Sequence, residues 1–137
     1  IVPLALQVAA MQRDCIELQN QAQTKDGTVE RSFLHVLDVC DAVLAGLKWL
    51  ETQVGCLEAF NIAHSKTTSI LGLLDEVAKV TQSEIRVQPA VYQHEELAQL
   101  GANIDKAEKV LAWTPKRSLT QMIEDEWRFY LNTLKGN

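Results

Sequence analysis

The stretch from Arg31 to Asp38 most constrains how this 137-residue chain can fold. It reads Arg-Ser-Phe-Leu-His-Val-Leu-Asp, and the bulky residues Phe33, Leu34 and Val36 favour a strand, which we place at 28–36. An Asp that follows such a strand can accept hydrogen bonds from the free N–H groups that begin a helix. The stretch therefore predicts a strand that passes directly into a helix capped by Asp38.

Amphipathic helices alternate with short apolar runs along the rest of the chain. In the first half we predict a helix over 2–12, a strand over 16–18, a loop to 27, the strand over 28–36 and a helix that Gly55 stops at about residue 54. A buried strand over 57–63 and a helix capped by Thr68 or Ser69 follow, and then a strand over 84–87 that Pro89 ends. The chain closes with a short helix capped by Asn103 and a last helix that begins at the Ser118–Gln121 capping box. This order is typical of one α/β or α+β domain over 1–137.

Two middle helices each carry an apolar stripe. The stripe of the helix after Asp38 is Val39, Val43, Leu44, Leu47 and Leu50, and that of the next helix is Ile70, Leu73, Leu74, Val77 and Val80.

The net charge and the cysteine content indicate which kinds of partner and which cellular compartment to expect. The net charge of −5 argues against broad attraction to nucleic acid or to an anionic membrane. Three cysteines without paired short spacings (Cys15, Cys40 and Cys56) argue against a disulfide framework and a metal site, so we expect reduced, mostly buried thiols in a cytoplasmic protein. The chain opens at Ile1 inside a helical pattern, from which we expect a fragment of a larger enzyme.

Catalytic signatures are not found in the sequence. The six glycines are not spaced for a dinucleotide-binding loop or a P-loop. Neither Tyr92 nor Tyr130 has a lysine four residues later, and no serine lies in a nucleophile elbow. By its chemistry alone the chain is a non-catalytic piece without a cofactor site.

Several motifs in order resemble one family. Arg31–Asp38 resembles the Arg-Asp-Tyr-Ile-His-Val-x-Asp motif of extended short-chain dehydrogenase/reductases that act on nucleotide sugars, such as UDP-glucose 4-epimerases. Further motifs similar to that family lie at 26–28, 60–63, 69–70, 104–107, 111–115 and 118–119, followed by the aromatic residues Trp127 and Tyr130.

The resemblance implies the C-terminal, substrate-binding portion of an extended Rossmann-type nucleotide-sugar epimerase or dehydratase, without the dinucleotide-binding half. In such an enzyme, that other half holds NAD and carries the catalytic Tyr-x-x-x-Lys. The resemblance favours a UDP-glucose 4-epimerase-like enzyme. A CDP-glucose 4,6-dehydratase-like enzyme is the alternative, because residues 35–37 and the His94-Glu95 pair are also similar to that group.

Two other interpretations remain open. The chain is either an interaction module that kept the fold and lost catalysis, or a truncation with no activity of its own. Because the family strand matching 57–63 joins the sheet of the other half, we expect exposed edges and self-association when that half is absent.

The resemblance places Arg31 on the diphosphate of the nucleotide sugar, where a guanidinium fork suits phosphate oxygens. The alternative is a surface arginine paired with Glu30 or Asp38. His35 is expected to be a packed structural histidine and Asp38 a helix cap. Asn61 is expected to fix a turn rather than to touch a ligand.

The family's second diphosphate arginine is missing from the matching segment, Gln93 to Glu96. Arg86 and His94 are the candidate replacements, and Glu96 matches the family's acid, so the predicted substrate-binding residues are Arg31, Arg86, His94 and Glu96. The family glycines after Asn61 are replaced by Ala63, Ser65 and Thr67.

Overall fold

The computed structural model describes residues 1–20, 29–91 and 97–135, which form five helices and five strands. In order they are α1 (Val2–Ala9), β1 (Ile16–Asn20), β2 (Glu30–Arg31), α2 (Val36–Leu50), β3 (Thr68–Ser69), α3 (Ile70–Thr81), β4 (Val87–Val91), β5 (Gln99–Leu100), α4 (Asp105–Leu111) and α5 (Leu119–Lys135). The predicted α/β class is confirmed. None of these helices combines the length and the apolar character needed to cross a bilayer.

The strands form two small sheets. β1 and β4 pair in parallel, with Ile16 opposite Val87. In the other sheet β2 lies between β3, which is antiparallel to it, and β5, which is parallel to it. Pro89, which we expected to end the fourth strand, lies inside β4. Proline is tolerated there because β4 pairs only with β1 among the described strands, so its other side is an edge.

The main core lies where α1, α3 and α5 meet β1. Leu6, Ile16, Leu73, Val77 and Ile123 are at most 1% exposed. Burial of each such side chain stabilises the fold by about 1.5–3 kcal/mol. A second cluster (Ala42, Ile104, Ala107 and Trp113) joins α2 to α4.

Capping residues in the sequence correctly predicted where the helices α3 and α5 of the main core begin. Ser69 caps α3, because its Oγ accepts from the Gly72 N–H at 3.0 Å. The capping box of α5 is also confirmed: the Gln121 N–H donates to Ser118 Oγ at 3.2 Å and the Ser118 N–H donates to Gln121 Oε1 at 3.0 Å. The predicted α3 stripe packs into the core.

The strand predicted over 28–36 is mostly wrong. Its paired part is only Glu30–Arg31, and α2 begins at Val36. His35 caps this helix by accepting the Leu37 N–H on Nδ1 at 3.0 Å. Asp38 therefore lies inside the first turn and is not the cap. The apolar pattern could not show this, because a histidine ring replaces the usual capping oxygen.

The apolar stripe of α2 is not buried in the described structure. Its five residues are 41–57% exposed, whereas Asp38 and Ala42 are buried. At 100° per residue the two faces point in directions roughly 120° apart. Small residues let α2 approach α4 closely, which leaves the larger apolar face uncovered by the described chain.

The segment 57–63 does not form a strand in the described structure. Leu57 is 99% exposed. The segment is held instead by Lys106, whose Nζ binds Glu58, donates to the Ala59 carbonyl at 2.8 Å and lies 5.1 Å from the centre of the Phe60 ring. An extended segment becomes a strand only beside another strand, and the described chain supplies none there.

The cysteines are less buried than we expected. Cys40 and Cys56 are exposed and Cys15 is half-buried, and all three are free thiols. Cys40 follows Val39 on α2, so its exposure has the same origin as the uncovered face of that helix.

Candidate functional site

Arg31 is held on β2 by backbone carbonyls. Its Nη1 donates to the Glu30 carbonyl at 2.8 Å and to the Leu97 carbonyl at 3.0 Å. The second contact crosses to the chain that enters β5. The guanidinium group is therefore fixed at the junction of two strands, as recognition of a planar or bidentate anion requires.

Glu30 and Asp38, the two acids considered as alternative partners of Arg31, accept hydrogen bonds from other side chains. Glu30 Oε2 accepts from Thr67 Oγ1 at 2.5 Å and from Gln99 Nε2 at 2.9 Å. Asp38 accepts from Arg117. Both carboxylates thus have positions in the fold that do not depend on Arg31.

A turn at 64–67 is tied to Ser32, the residue that follows Arg31. Ser32 Oγ donates to the His64 carbonyl at 2.8 Å and accepts from the His64 N–H at 2.9 Å. The Lys66 N–H then donates to His64 Nδ1 at 3.1 Å. Because Nδ1 accepts, the neutral ring carries its proton on Nε2. These bonds fix the turn to the residue next to Arg31.

Asp38 anchors the chain after α4 to α2. It is fully buried and accepts from the backbone N–H groups of Lys116 at 3.2 Å and Arg117 at 3.1 Å, and from Arg117 Nη1 at 2.6 Å. Burial raises the pKa of the Asp38 carboxyl, but these three donors outweigh burial, so its pKa lies below the ordinary value. The Asp38 carbonyl also accepts from the Trp113 indole at 3.0 Å.

His35 has the structural role that we expected. Its ring is 4% exposed, and Nε2 lies 3.1 Å from Asp125 Oδ2 while Nδ1 accepts the Leu37 N–H. Both ring nitrogens are thus engaged by other groups of the chain. No sequence signal pointed to Asp125, because it is 90 residues away along the chain.

Of the other predicted site residues, Arg86 is the one that lies within the described residues. Arg86 precedes β4 beside the start of β1, where its carbonyl accepts the Ile16 N–H at 2.8 Å. This position is roughly 16 Å along the strand from the end of β4 that leads toward β5. His94 and Glu96 lie outside the described residues. Asn61 donates to the Asn103 carbonyl at 3.1 Å, which suits the turn role that we favoured.

Comparisons with known proteins place the chain in a family. The family described as GDP-mannose 4,6 dehydratase matches residues 1–126. UDP-glucose 4-epimerase of Lacticaseibacillus casei is 34% identical over 99% of the chain and 41% of its own length. The human UDP-glucose 4-epimerase is 29% identical over 99% of the chain and 39% of its own length. The chain thus spans about two fifths of the curated relatives that it matches.

Solved structures agree with this assignment. A Stenotrophomonas maltophila UDP-glucose 4-epimerase with bound NAD and formylated UDP-arabinopyranose superposes with a TM-score of 0.90 at 24% identity, covering 99% of this chain and 40% of that one. Another UDP-glucose 4-epimerase gives a TM-score of 0.83 at 31% identity, covering 99% and 42%. The chain therefore belongs to the GDP-mannose 4,6 dehydratase family and is similar to the C-terminal portion of its UDP-glucose 4-epimerase-like members.

Proposed function

We propose that this chain is the nucleotide-sugar-binding part of an NAD-dependent sugar epimerase of the UDP-glucose 4-epimerase kind, with Arg31 on the diphosphate. The observation that carries the proposal is the fixed guanidinium of Arg31, held by two backbone carbonyls at the junction of β2 and β5. The relatives' names support the substrate class, since several are UDP-glucose 4-epimerases.

The chain's part in the reaction is binding and orientation. A guanidinium fork on the diphosphate fixes one end of the ligand, so that binding energy remote from the sugar can position the reacting carbon. The glycine spacing does not suit a dinucleotide loop, so we assign NAD to a companion nucleotide-binding half. The bound NAD would supply the oxidising power at the sugar.

The uncovered surface of α2 is where we place that companion half. Val39, Val43 and Leu47 form an exposed apolar stripe, and segment 57–63 continues from the end of the helix with its outer edge unpaired in the described structure. Contiguous exposed apolar residues often mark a protein–protein interface. Without the companion, we expect the same surface to drive self-association.

Activity of the reassembled enzyme tests the proposal. The chain would be co-expressed with a nucleotide-binding half from a related epimerase and assayed for epimerisation of UDP-hexoses and for dehydration of CDP-hexoses. We expect UDP-hexose epimerisation that falls about 100-fold in Arg31→Ala, because a charge-assisted contact is lost. Arg128→Ala removes an exposed arginine of α5 and is the matched control, which should change the rate less than about threefold. Folded, reassembled protein with no turnover on any nucleotide sugar would contradict the proposal.

A non-catalytic interaction module is the second candidate. It is favoured by the missing second arginine and by the replacement of family glycines at Ala63, Ser65 and Thr67. A CDP-glucose 4,6-dehydratase-like parent remains the alternative within the enzyme class. Dehydration of CDP-hexoses in the assay above would identify that parent, whereas tight capture of the companion half without turnover would favour the module.

A further inference from the structure

We propose that Lys106 is a positioning residue that holds residues 58–60 in place as an edge on which a strand of the companion half pairs. The inference rests on the proposed function, which places the companion half on α2 and segment 57–63, and it deepens that proposal. It assigns a β-strand as the partner at this edge and names the side chain that prepares the edge for it.

The ammonium group of Lys106 contacts three consecutive residues of the segment. It forms an ion pair with Glu58, donates to the Ala59 carbonyl at 2.8 Å and lies 5.1 Å from the centre of the Phe60 ring. A lysine has three N–H donors and no acceptor, so a carboxylate, a carbonyl and the face of an aromatic ring suit it together. The hydrogen bond from Lys106 is the main cause that holds the pKa of the Glu58 carboxyl below its ordinary value, so Glu58 is charged at neutral pH.

Two helices fix the rest of the segment. The Phe60 ring meets the Trp49 ring of α2 edge to face, with the ring centres 5.5 Å apart. Asn61 Nδ2 donates at 3.1 Å to the carbonyl of Asn103, just before α4. Phe60 and Ile62 also pack against the cluster that joins α2 to α4. The segment is therefore attached to both helices through its side chains.

The backbone of the segment is open for pairing. Within the described residues, no residue of 57–63 takes part in a backbone–backbone hydrogen bond. A row of unbonded N–H and C=O groups is a template on which another strand can pair. The curated relatives are more than twice as long as this chain, and in our proposal their remaining length supplies that strand.

Fixing the segment before it pairs favours association. Ordering a free backbone opposes pairing, and this entropic cost is smaller where contacts already hold the residues. The side chains of Lys106 and Glu58 are 47% and 42% exposed, and ion pairs at such positions add little to overall stability. Loss of Lys106 should therefore loosen the segment while the domain stays folded.

Two measurements on Lys106→Met test the inference. NMR order parameters of the backbone amides of 58–61 report local order in the 137-residue chain. For docking, each variant would be co-expressed with a differently tagged wild-type chain and the nucleotide-binding half of a related epimerase. The ratio of the two chains in the purified complex gives their relative affinity. Amide hydrogen exchange of 57–63 in the wild-type complex then shows whether a strand pairs there.

Lys109→Met is the matched control, because Lys109 is an exposed lysine of the same helix and makes no ion pair within the described residues. In Lys106→Met we expect order parameters to fall from about 0.85 to below about 0.6 and incorporation into the complex to fall about tenfold. The thermal midpoint should change by less than about 4 °C. Lys106→Arg, which keeps the charge and the donors, should stay within about threefold of wild type, and Lys109→Met should have no effect.

The inference is overturned if Lys106→Met behaves like Lys109→Met in either measurement. It is also overturned if the amides of 57–63 exchange as fast in the wild-type complex as in the chain alone. The proposed function is judged separately by turnover. If assembly depends on Lys106 but no nucleotide sugar is turned over, the role of Lys106 stands and the proposed function fails. If turnover depends on Arg31 while Lys106→Met behaves like the control, the reverse holds. If the wild-type chain forms no complex, both are refuted.

Discussion

Asp38 connects α2 to the segment 112–118 through its buried carboxylate. It is fully buried and accepts three hydrogen bonds, two from backbone N–H groups and one from Arg117. We expect Asp38→Asn to lower the free energy of unfolding by about 2–4 kcal/mol, because the Arg117 charge loses its buried partner. Urea denaturation measures this. Asp41→Asn, which removes the half-exposed second partner of Arg117, should cost less than about 1 kcal/mol.

The same residue makes stability depend on pH. The pKa of Asp38 is lower in the folded chain than in the unfolded chain, so its stabilising effect is fully present above the unfolded value of about 4. That stability is lost as the pH falls through the lower folded pKa, because the unfolded state then binds the proton more readily. Denaturation between pH 6 and pH 2 should show a steeper loss for wild type than for Asp38→Asn. Parallel curves for the two proteins would mean that Asp38 does not carry this dependence.

The helix α2 carries two apolar faces, and only one of them is buried in the described structure. Val43 and Leu47 are 57% and 55% exposed. We expect the double substitution Val43→Glu and Leu47→Glu to change the free energy of unfolding of the monomer by less than about 1 kcal/mol, because surface changes are usually small. It should also abolish self-association, which light scattering measures. A fully monomeric wild-type chain at high concentration would contradict the expected self-association.

A buried apolar residue on the next helix is the control for this experiment. Leu74, on α3, is 3% exposed, so Leu74→Ala should cost about 2–5 kcal/mol. A loss of that size in the α2 double variant would show that its outer face is buried within the monomer.

Elements with local signals could be predicted from the sequence. The Ser69 cap and the Ser118–Gln121 box sit beside apolar stripes, and both helices formed as predicted. The inward face of α2 could not be predicted, because periodicity shows that an apolar face exists but not what covers it. The strand predicted at 57–63 is not formed in the described structure for a related reason, since a strand needs a neighbouring strand to pair with.

The candidate site was predictable at one residue. Arg31 was identified through the motif that it opens, but the turn tied to the next residue, 64–67, was identified only by the hydrogen bonds from Ser32 to His64. The Arg117 partner of Asp38 lies 79 residues further along the chain. Contacts at that separation follow from the fold and leave no local pattern.

At the scale of the whole molecule, the described chain packs around two apolar clusters. The larger joins α1, α3 and α5, and the smaller joins α2 to α4. Arg31 lies on the middle strand of the β3–β2–β5 sheet, and α2 leaves the same stretch with an apolar face uncovered. If Arg31 binds the diphosphate and α2 meets a companion half, as we propose, both contacts start from this one stretch of the chain.

Calorimetric titration of the 137-residue chain with UDP-glucose, for wild type and Arg31→Ala, tests the central claim most directly. We predict measurable binding by the wild-type chain and a loss of at least about tenfold in Arg31→Ala, because the charge-assisted contact to the diphosphate is removed. Thermal denaturation should show that the variant remains folded. Absence of wild-type binding, or equal affinities for the two proteins, would contradict the account.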